Sequence, residues 1–291
     1  MNLPKISVVT ITYGHEKYII ETLPGILMQK YSGPVELIIS NDNSPDQTEE
    51  VIKTYLEEHS VPENFEIKYT RHTINKGMSP NFIWAMNQAS GKYIALCEGD
   101  DYWTDPLKLQ KQVAILEANP EYALCFTRRE LLQDDRLEPG KSFSHKNVFN
   151  KSEIPYIPIT TLTVLFRNVV NEIPAKMYPT LMDASLFLFL SQFGSFVYID
   201  ESTGVYRSHE GGAYGGASAL KKHTTSVKAR MEAWKHLKDI DRAALADVLI
   251  YWLRLKRKAE LNNKMYAKAR KTKLTQHYFS LYLRYKKVLK N

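Results

Sequence analysis

Tyr93-Ile94-Ala95-Leu96-Cys97-Glu98-Gly99-Asp100-Asp101-Tyr102-Trp103 reads as an apolar strand that stops in three carboxylates within four residues, with two aromatics behind them. Carboxylates crowded this closely raise one another's pKa, so a folded chain tends to supply a counter-charge. A divalent cation is the simplest one, and hard oxygen ligands suit Mg²⁺ or Mn²⁺. A solvated acidic turn is the competing reading of the same residues. Their surroundings separate the two.

Upstream, residues 6–12 form a short apolar strand without clean alternation, as expected when both faces of a sheet are covered. A helix pattern follows over 16–29, then a strand over 35–40, a helix over 47–59, a strand over 65–70, a helix over 79–89 and a strand over 92–97. This alternation specifies an α/β fold, a mostly parallel Rossmann-type sheet with helices on both faces. Such sheets bind ligands at the carboxyl ends of their strands. Tyr13, Asp42, Asn75-Lys76 and Glu98 to Asp101 all fall at or just beyond those ends, so polar residues from separate strands converge on one edge.

Downstream, Thr104-Asp105-Pro106 reads as a helix start, with Asp105 as cap and Pro106 at the first helical position. A strand is expected over 122–126, an irregular loop over 133–158, a strand over 161–166, a helix over 183–193 and a strand over 196–199. A Gly-rich stretch spans 211–216, and beyond Leu220 the pattern is almost wholly helical. The expected division is an α/β domain over 1–218 and a basic helical C-terminal region over 219–291.

The 291 residues are 44% hydrophobic and 24% charged, the composition of an ordinary globule. The net charge of +7 is unevenly placed. Residues 251–291 hold thirteen Lys or Arg against the single acid Glu260, leaving the rest of the chain mildly acidic. Cys97 and Cys125 lie in apolar runs and read as buried free thiols, consistent with a reducing compartment. No secretory signal is evident at the N-terminus, and no apolar run reaches the length of a membrane span. A cytoplasmic location is expected, with peripheral contact to the inner face of the cell membrane as an addition. There is no GxxxxGK[ST] motif and no GxGxxG after the first strand, which argues against a P-loop or a dinucleotide fold.

Several residues carry two readings each. Asp42 sits in Asn41-Asp42-Asn43-Ser44-Pro45-Asp46, where it either closes a side-chain turn or accepts hydrogen bonds from a ribose or base. Tyr13 either stacks on a base or belongs to the rim. Asp183 is the only charged residue between Lys176 and Asp200 and precedes a very apolar helix. It is an N-cap, a role worth about 1 kcal/mol, or a general base that the helix terminus keeps oriented. Arg207 and His209 alternate on one extended segment and so face one side, where they suit a diphosphate and its metal.

Taken together these blocks resemble the family 2 inverting glycosyltransferases of bacterial polysaccharide assembly, which have the GT-A fold. The matching features are residues 6–13, 38–48, Asn75-Lys76-Gly77, 91–103, Asp183, and Tyr206-Arg207-Ser208-His209-Glu210-Gly211-Gly212, over roughly residues 4–215. The resemblance implies a nucleotide-sugar donor, a UDP-sugar, contacted by Thr12, Tyr13, Asp42, Asn75, Lys76, Asp100 and Arg207. It implies Mn²⁺ or Mg²⁺ held by Asp100, Glu98 and His209, and Asp183 as catalytic base. Two departures stand out: Asn41 where aspartate is common, and Glu98 for the first aspartate of the DXD motif.

On this reading the acceptor is a hydroxyl of a glycan or lipid-linked glycan. The alternatives are an inactive nucleotide-sugar-binding scaffold subunit and an enzyme of the same fold that makes a nucleotide sugar. The second would need a Gly-rich basic loop after the first strand, which Thr12-Tyr13-Gly14-His15-Glu16-Lys17 does not resemble. The C-terminal region mixes Tyr, Phe and Leu with Lys and Arg, as suits an anionic membrane surface. A solvated tail or a homo-oligomer contact is the plainer reading of it, and no module for nucleic acid is present.

Overall fold

The computed structural model describes residues 3–143, 145–212 and 216–288. Strand β1 (Ile6–Thr12) sends Ile6 and Val8 into one apolar core and Val9 into another, so the sheet is covered on both sides. β2 (Val35–Asn41) repeats the pattern, with Leu37 and Ile39 on the first side and Ile38 on the second. β3 (Phe65–Arg71) pairs parallel with β2, β2 with β1, and β1 with β4 (Tyr93–Leu96).

The first core is closed by α1 (Ile19–Leu27), α2 (Thr48–Glu58) and, later in the chain, Leu109, Val113 and Leu116. The second receives Phe82, Ala85 and Met86 of α3 (Met78–Asn87). These crossings place the carboxyl ends of β1, β2 and β4 on one edge, as the alternation of the sequence requires.

Past β4 the sheet turns mixed. The two-residue β5 (Tyr102–Trp103) is followed by α4 (Lys108–Ala118), β6 (Tyr122–Gln133), β7 (Arg136–Pro139), β8 (Val148–Phe149), β9 (Leu165–Arg167) and β10 (Ser195–Ser208). The order across the sheet is β3-β2-β1-β4-β9-β6-β10-β5, with β7 and β8 added on β6 and β10. β9 is antiparallel to both β4 and β6, while β6 and β10 run parallel.

Several elements differ from the sequence expectation. The strand read over 122–126 runs to Gln133, and the one read over 196–199 runs to Ser208. The second half of β6 is half-buried and that of β10 alternates open and buried stretches, so the apolar pattern ends although the ladder continues to Arg207–Leu132 and Ser208–Gln133. Register shifts at Ile199/Ser202 and Ser202/Val205 bend β10 on the way. The loop read over 133–158 holds β7, β8 and a 3₁₀ turn, Ile154–Tyr156. Residues Thr161–Thr163 form a 3₁₀ turn ahead of β9. Helix α4 starts at Lys108, so Pro106 lies outside it, although Asp105 Oδ1 still accepts the Leu107 amide at 2.8 Å. Cys97 and Cys125 are both buried and free.

α5 (Asp183–Leu190) is buried from Ser185 onward and leads, through β10, to α6 (Ala219–His236), α7 (Arg242–Asn262) and α8 (Tyr266–Val288). Ser218 and Asp241 cap α6 and α7, accepting the amides of Lys221 and Ala244. Leu245, Leu249 and Leu253 of α7 share an apolar core with Leu186 and Phe166, while Trp252 is half-buried against it.

Helix α8 has two apolar faces. Ala269, Thr272 and Phe279 are buried, with Phe279 and Tyr282 edge-on to Trp234. Leu274, Tyr278, Leu281, Tyr285 and Val288, spaced four and three apart, are 49–72% exposed. Among the described residues no helix is long and apolar enough to cross a membrane.

Candidate active site

Asp42 follows β2, and each of its oxygens takes a backbone amide from the loop ahead of α3. Oδ1 accepts from Lys76 at 2.7 Å and Oδ2 from Gly77 at 2.9 Å. Gly77 has φ of 85°, a conformation that glycine adopts without strain. The Asp42 amide donates to the Thr12 carbonyl at 2.9 Å, so the ends of β1 and β2 and this loop form one floor. Each carboxylate oxygen keeps further acceptor capacity.

Thr12, Tyr13, Asp42, Asn75, Glu98 and Asp100 line a cavity of about 200 Å³. Tyr13 is 48% exposed at its rim. Asn75 Oδ1 accepts from Gly77, and the side chain of Lys76 is exposed. Asn41 is engaged elsewhere: its Oδ1 accepts from Ser44 and its Nδ2 donates to the Tyr69 hydroxyl, within the sheet edge.

The carboxylates after β4 occupy three different environments. Asp101 is buried and accepts the Arg207 amide at 2.8 Å. Burial, then the charges of Asp100 and Glu98, raise its carboxyl well above the usual range. Glu98 is pushed up to about 7, first by burial and then by Asp100 and Asp183, with Thr161 acting in the opposite direction. Its Oε2 is buried and receives no hydrogen bond among the described residues. Asp100 goes the other way. Burial opposes its ionisation, but a hydrogen bond from His209 and the charge of His15 outweigh it and hold the carboxyl below the ordinary value. Gly99 between them allows close approach, since a Cβ there would meet Thr12 Oγ1 at 2.8 Å.

Asp100 Oδ2 lies 3.1 Å from His209 Nε2 and 3.7 Å from His15 Nε2. The ligand atoms of these three residues fall within 4.8 Å of one another, a donor set with the chemistry to hold a divalent ion. Burial lowers the His15 pKa, which favours the neutral ring that a metal requires. Arg207 is tied down around the same residue. Its Nε donates to the Asp100 carbonyl at 3.1 Å, and its Nη2 pairs with Glu21 at 2.8 Å.

Asp183 is the first residue of α5, but it does not cap the helix. Met182 stands at the cap, with its amide bonded to Ser185 Oγ at 3.0 Å, while Asp183 Oδ1 accepts only the adjacent Ala184 amide at 2.6 Å. The residue is open to solvent yet stands among protein walls. That desolvation raises its carboxyl, while the Ala184 bond and the charge of Arg230 act against the rise. Asp183 lines a cavity of about 310 Å³ together with Glu98, Asp100, Asp101, Arg129 and Tyr206. It also lines a groove of about 340 Å³ that Phe187, Arg230 and Trp252 help to build.

The fold therefore brings Thr12, Tyr13, Asp42, Asn75, Glu98, Asp100, Asp183 and His209 to adjoining cavities, with Arg207 beneath them and Lys76 contributing its amide. Glu98 stands beside the His15–Asp100–His209 cluster rather than in it. Sequence reasoning passed over His15 and Arg129. His15 follows Gly14, which has φ of 72° and marks a tight turn at a strand end; that is the one local signal for it. Arg129, stacked 5.0 Å from the Tyr206 ring, lies in the part of β6 beyond the apolar run. The Gly-rich stretch over 211–216 falls partly outside the described residues.

Comparisons with known proteins bear on the family and the fold. An uncharacterized protein of Mycobacterium tuberculosis strain H37Rv is 36% identical over 214 residues, 72% of this chain, and the chain spans 60% of that relative's length. Among solved structures, S. aureus TarS 1-349 in complex with UDP-GlcNAc superposes with a TM-score of 0.65 at 20% identity, over 86% of this chain and 72% of that one. The mannosyltransferase PcManGT from Pyrobaculum calidifontis, in complex with GDP-Man and Mn²⁺, gives 0.64 at 17% identity over 98% and 82%. At these identities the two structures speak for the GT-A fold. The sequence model of Glycosyl transferase family 2 matches residues 7–173, more than half of the chain, which therefore belongs to that family.

Proposed function

We propose that this chain is an inverting, metal-dependent glycosyltransferase that moves a sugar from a nucleotide donor, a UDP-sugar, to a hydroxyl of a glycan or lipid-linked glycan in bacterial polysaccharide assembly. The observation that carries the reading is one cleft lined by two carboxylates, Asp100 facing His209 and His15 and Asp183 bonded to the Ala184 amide. The floor built by Asp42, Thr12 and Tyr13 takes the nucleoside, with Tyr13 as a stacking wall. A divalent ion held by Asp100 and His209, with Glu98 beside that cluster, would supply positive charge against the leaving diphosphate. Arg207 keeps the Asp100 backbone in place.

Asp183 accepts the proton of the acceptor hydroxyl as it attacks the anomeric carbon. The raised pKa strengthens it as a base, and the bond from Ala184 falls on Oδ1 alone. The groove along Phe187 and Trp252 gives the acceptor a route to that oxygen from the helical side. The segments 133–158 and 160–163 select the acceptor, in keeping with Ile154, Ile157 and Thr161 on the cavity walls.

The reading extends to the surface that the enzyme works on. Helix α8 contains seven Lys or Arg and no acid over residues 266–288, and its outer apolar stripe is uncovered. Tyr and Leu flanked by cations suit an anionic membrane, whereas a second copy would meet like charge.

Incubation with a panel of nucleotide sugars and Mn²⁺, with and without a lipid-linked acceptor, tests the activity. Transfer or slow donor hydrolysis supports it; binding without either across the panel favours a scaffold. Vesicles of anionic lipid test the surface: binding is expected at low salt, and Leu281→Glu with Tyr285→Glu removes it without altering donor hydrolysis. Unchanged vesicle binding in that double variant would reassign α8 to oligomer contact or solubility.

A further inference from the structure

The corner around Asp100 contains one residue outside the motifs that carry the family resemblance, His15. His15 Nε2 faces Asp100 Oδ2 at 3.7 Å, too far for a hydrogen bond yet with its ligand atom inside the 4.8 Å cluster. Its Nδ1 is buried without a partner among the described residues. Among the described residues no hydrogen bond to the ring holds it there; the backbone does. The His15 amide donates to Thr48 Oγ1 at 2.9 Å, and its carbonyl accepts from Tyr18 and Ile19 at 3.0 and 2.9 Å. Gly14 ahead of it makes the turn at positive φ. On the other side of Asp100, His209 packs against Tyr18 with ring centroids 4.5 Å apart. Two imidazoles are thus aimed from separate elements at one carboxylate oxygen.

We propose that His15 completes a two-imidazole, one-carboxylate site with Asp100 and His209, and that this site takes first-row transition ions such as Mn²⁺ and discriminates against Mg²⁺. Mg²⁺ demands oxygen ligands in near-octahedral geometry and dehydrates reluctantly. Imidazole nitrogen suits Mn²⁺ poorly but the later divalent ions well, so affinity should climb from Mn²⁺ through Co²⁺ to Ni²⁺. Glu98, two positions away in the acidic motif, lies outside the set and faces the neighbouring cavity. The inference rests on the glycosyltransferase reading only for the ligand that fills the remaining positions, a nucleotide diphosphate.

The test is a titration of the full chain with Mn²⁺, following loss of the free-ion electron paramagnetic resonance signal, without and then with UDP. The wild-type chain should bind Mn²⁺, with Co²⁺ and Ni²⁺ displacing it and a large excess of Mg²⁺ failing to do so. His15→Ala should weaken binding about 100-fold, while Glu98→Gln should stay within about 3-fold of wild type. His15→Glu should restore binding and allow Mg²⁺ to compete, a swap in preference that a merely structural histidine would not produce. Melting curves accompany each variant, and if His15→Ala does not fold, His15→Glu decides.

Equal affinity in His15→Ala, loss of binding in Glu98→Gln, or displacement by Mg²⁺ at equal concentration would overturn the proposal. A chain that binds Mn²⁺ in this way without using any nucleotide sugar would sink the catalytic reading and leave the site standing. One that transfers sugar with Mg²⁺ as well as with Mn²⁺ would do the reverse.

Discussion

Asp100 and Asp183 line the same cavity, yet their surroundings push them in opposite directions. Asp100 follows a central strand and meets two imidazoles and the guanidinium that grips its backbone. Asp183 opens a helix on the second face, takes a bond from its neighbour's amide, and feels the positive charge of Arg230. Net positive surroundings keep the first carboxyl ionised, so it can anchor charge but is a weak proton acceptor. The second is open to solvent at the cavity wall, and its carboxyl is raised. On the proposed reading, one cleft separates two tasks by environment, with the same side chain in both.

The comparison breaks most sharply at Asp183. Asp183→Asn should lower the transfer rate about 1000-fold while donor affinity stays close to wild type, measured by single-turnover assay and calorimetry. Asp100→Asn should produce the opposite split, weakening binding of Mn²⁺ and of the nucleotide about 100-fold, read by the same calorimetry. If the two variants fail in the same way, the division of roles is wrong.

Glu98 sharpens the contrast through pH. Its folded pKa, about 7, lies above the ordinary carboxyl value, so the folded metal-free chain binds more protons than the unfolded chain between roughly pH 4.5 and 7. Stability from this group is present below the unfolded pKa and is lost as pH rises through the folded one. The slope should be worth about 1–3 kcal/mol and disappear in Glu98→Gln, which chemical denaturation at several pH values would reveal. Asp183 has a raised pKa as well, so the rate should climb with pH as its carboxyl ionises. The smallest effect is at Arg230. Removing its charge in Arg230→Met should move that limb of the pH–rate profile upward by about half a pH unit.

The parallel half of the fold was legible because each strand there is short, apolar and bounded by a turn. β1, β2 and β4 end where their apolar runs end, which is why Asp42 and Asp100 could be placed at a ligand-binding edge from sequence. The mixed half hid its extent. β6 and β10 continue to Gln133 and Ser208 through stretches that mix polar and apolar residues without a clean pattern, and their mutual pairing carries them on as strands. Arg129 went unnoticed for that reason. His15 was illegible for another: its meaning depends on His209, which arrives beside Asp100 only after β10 has bent across the sheet. Asp183 was placed as a cap or a base, and the structure gives the cap to Met182 and Ser185. The two faces of α8 could not be separated by composition, since both are apolar and only contact with Trp234 identifies the inner one.

The central claim is that Asp183 takes a proton from the acceptor and does not itself attack the sugar. The configuration of the first product tests it most directly, by following the anomeric proton with nuclear magnetic resonance during early turnover of an α-linked UDP-sugar. The account predicts that the transferred or hydrolysed sugar appears first as the β-anomer. An α-anomer formed first would mean two displacements at that carbon, and would contradict it.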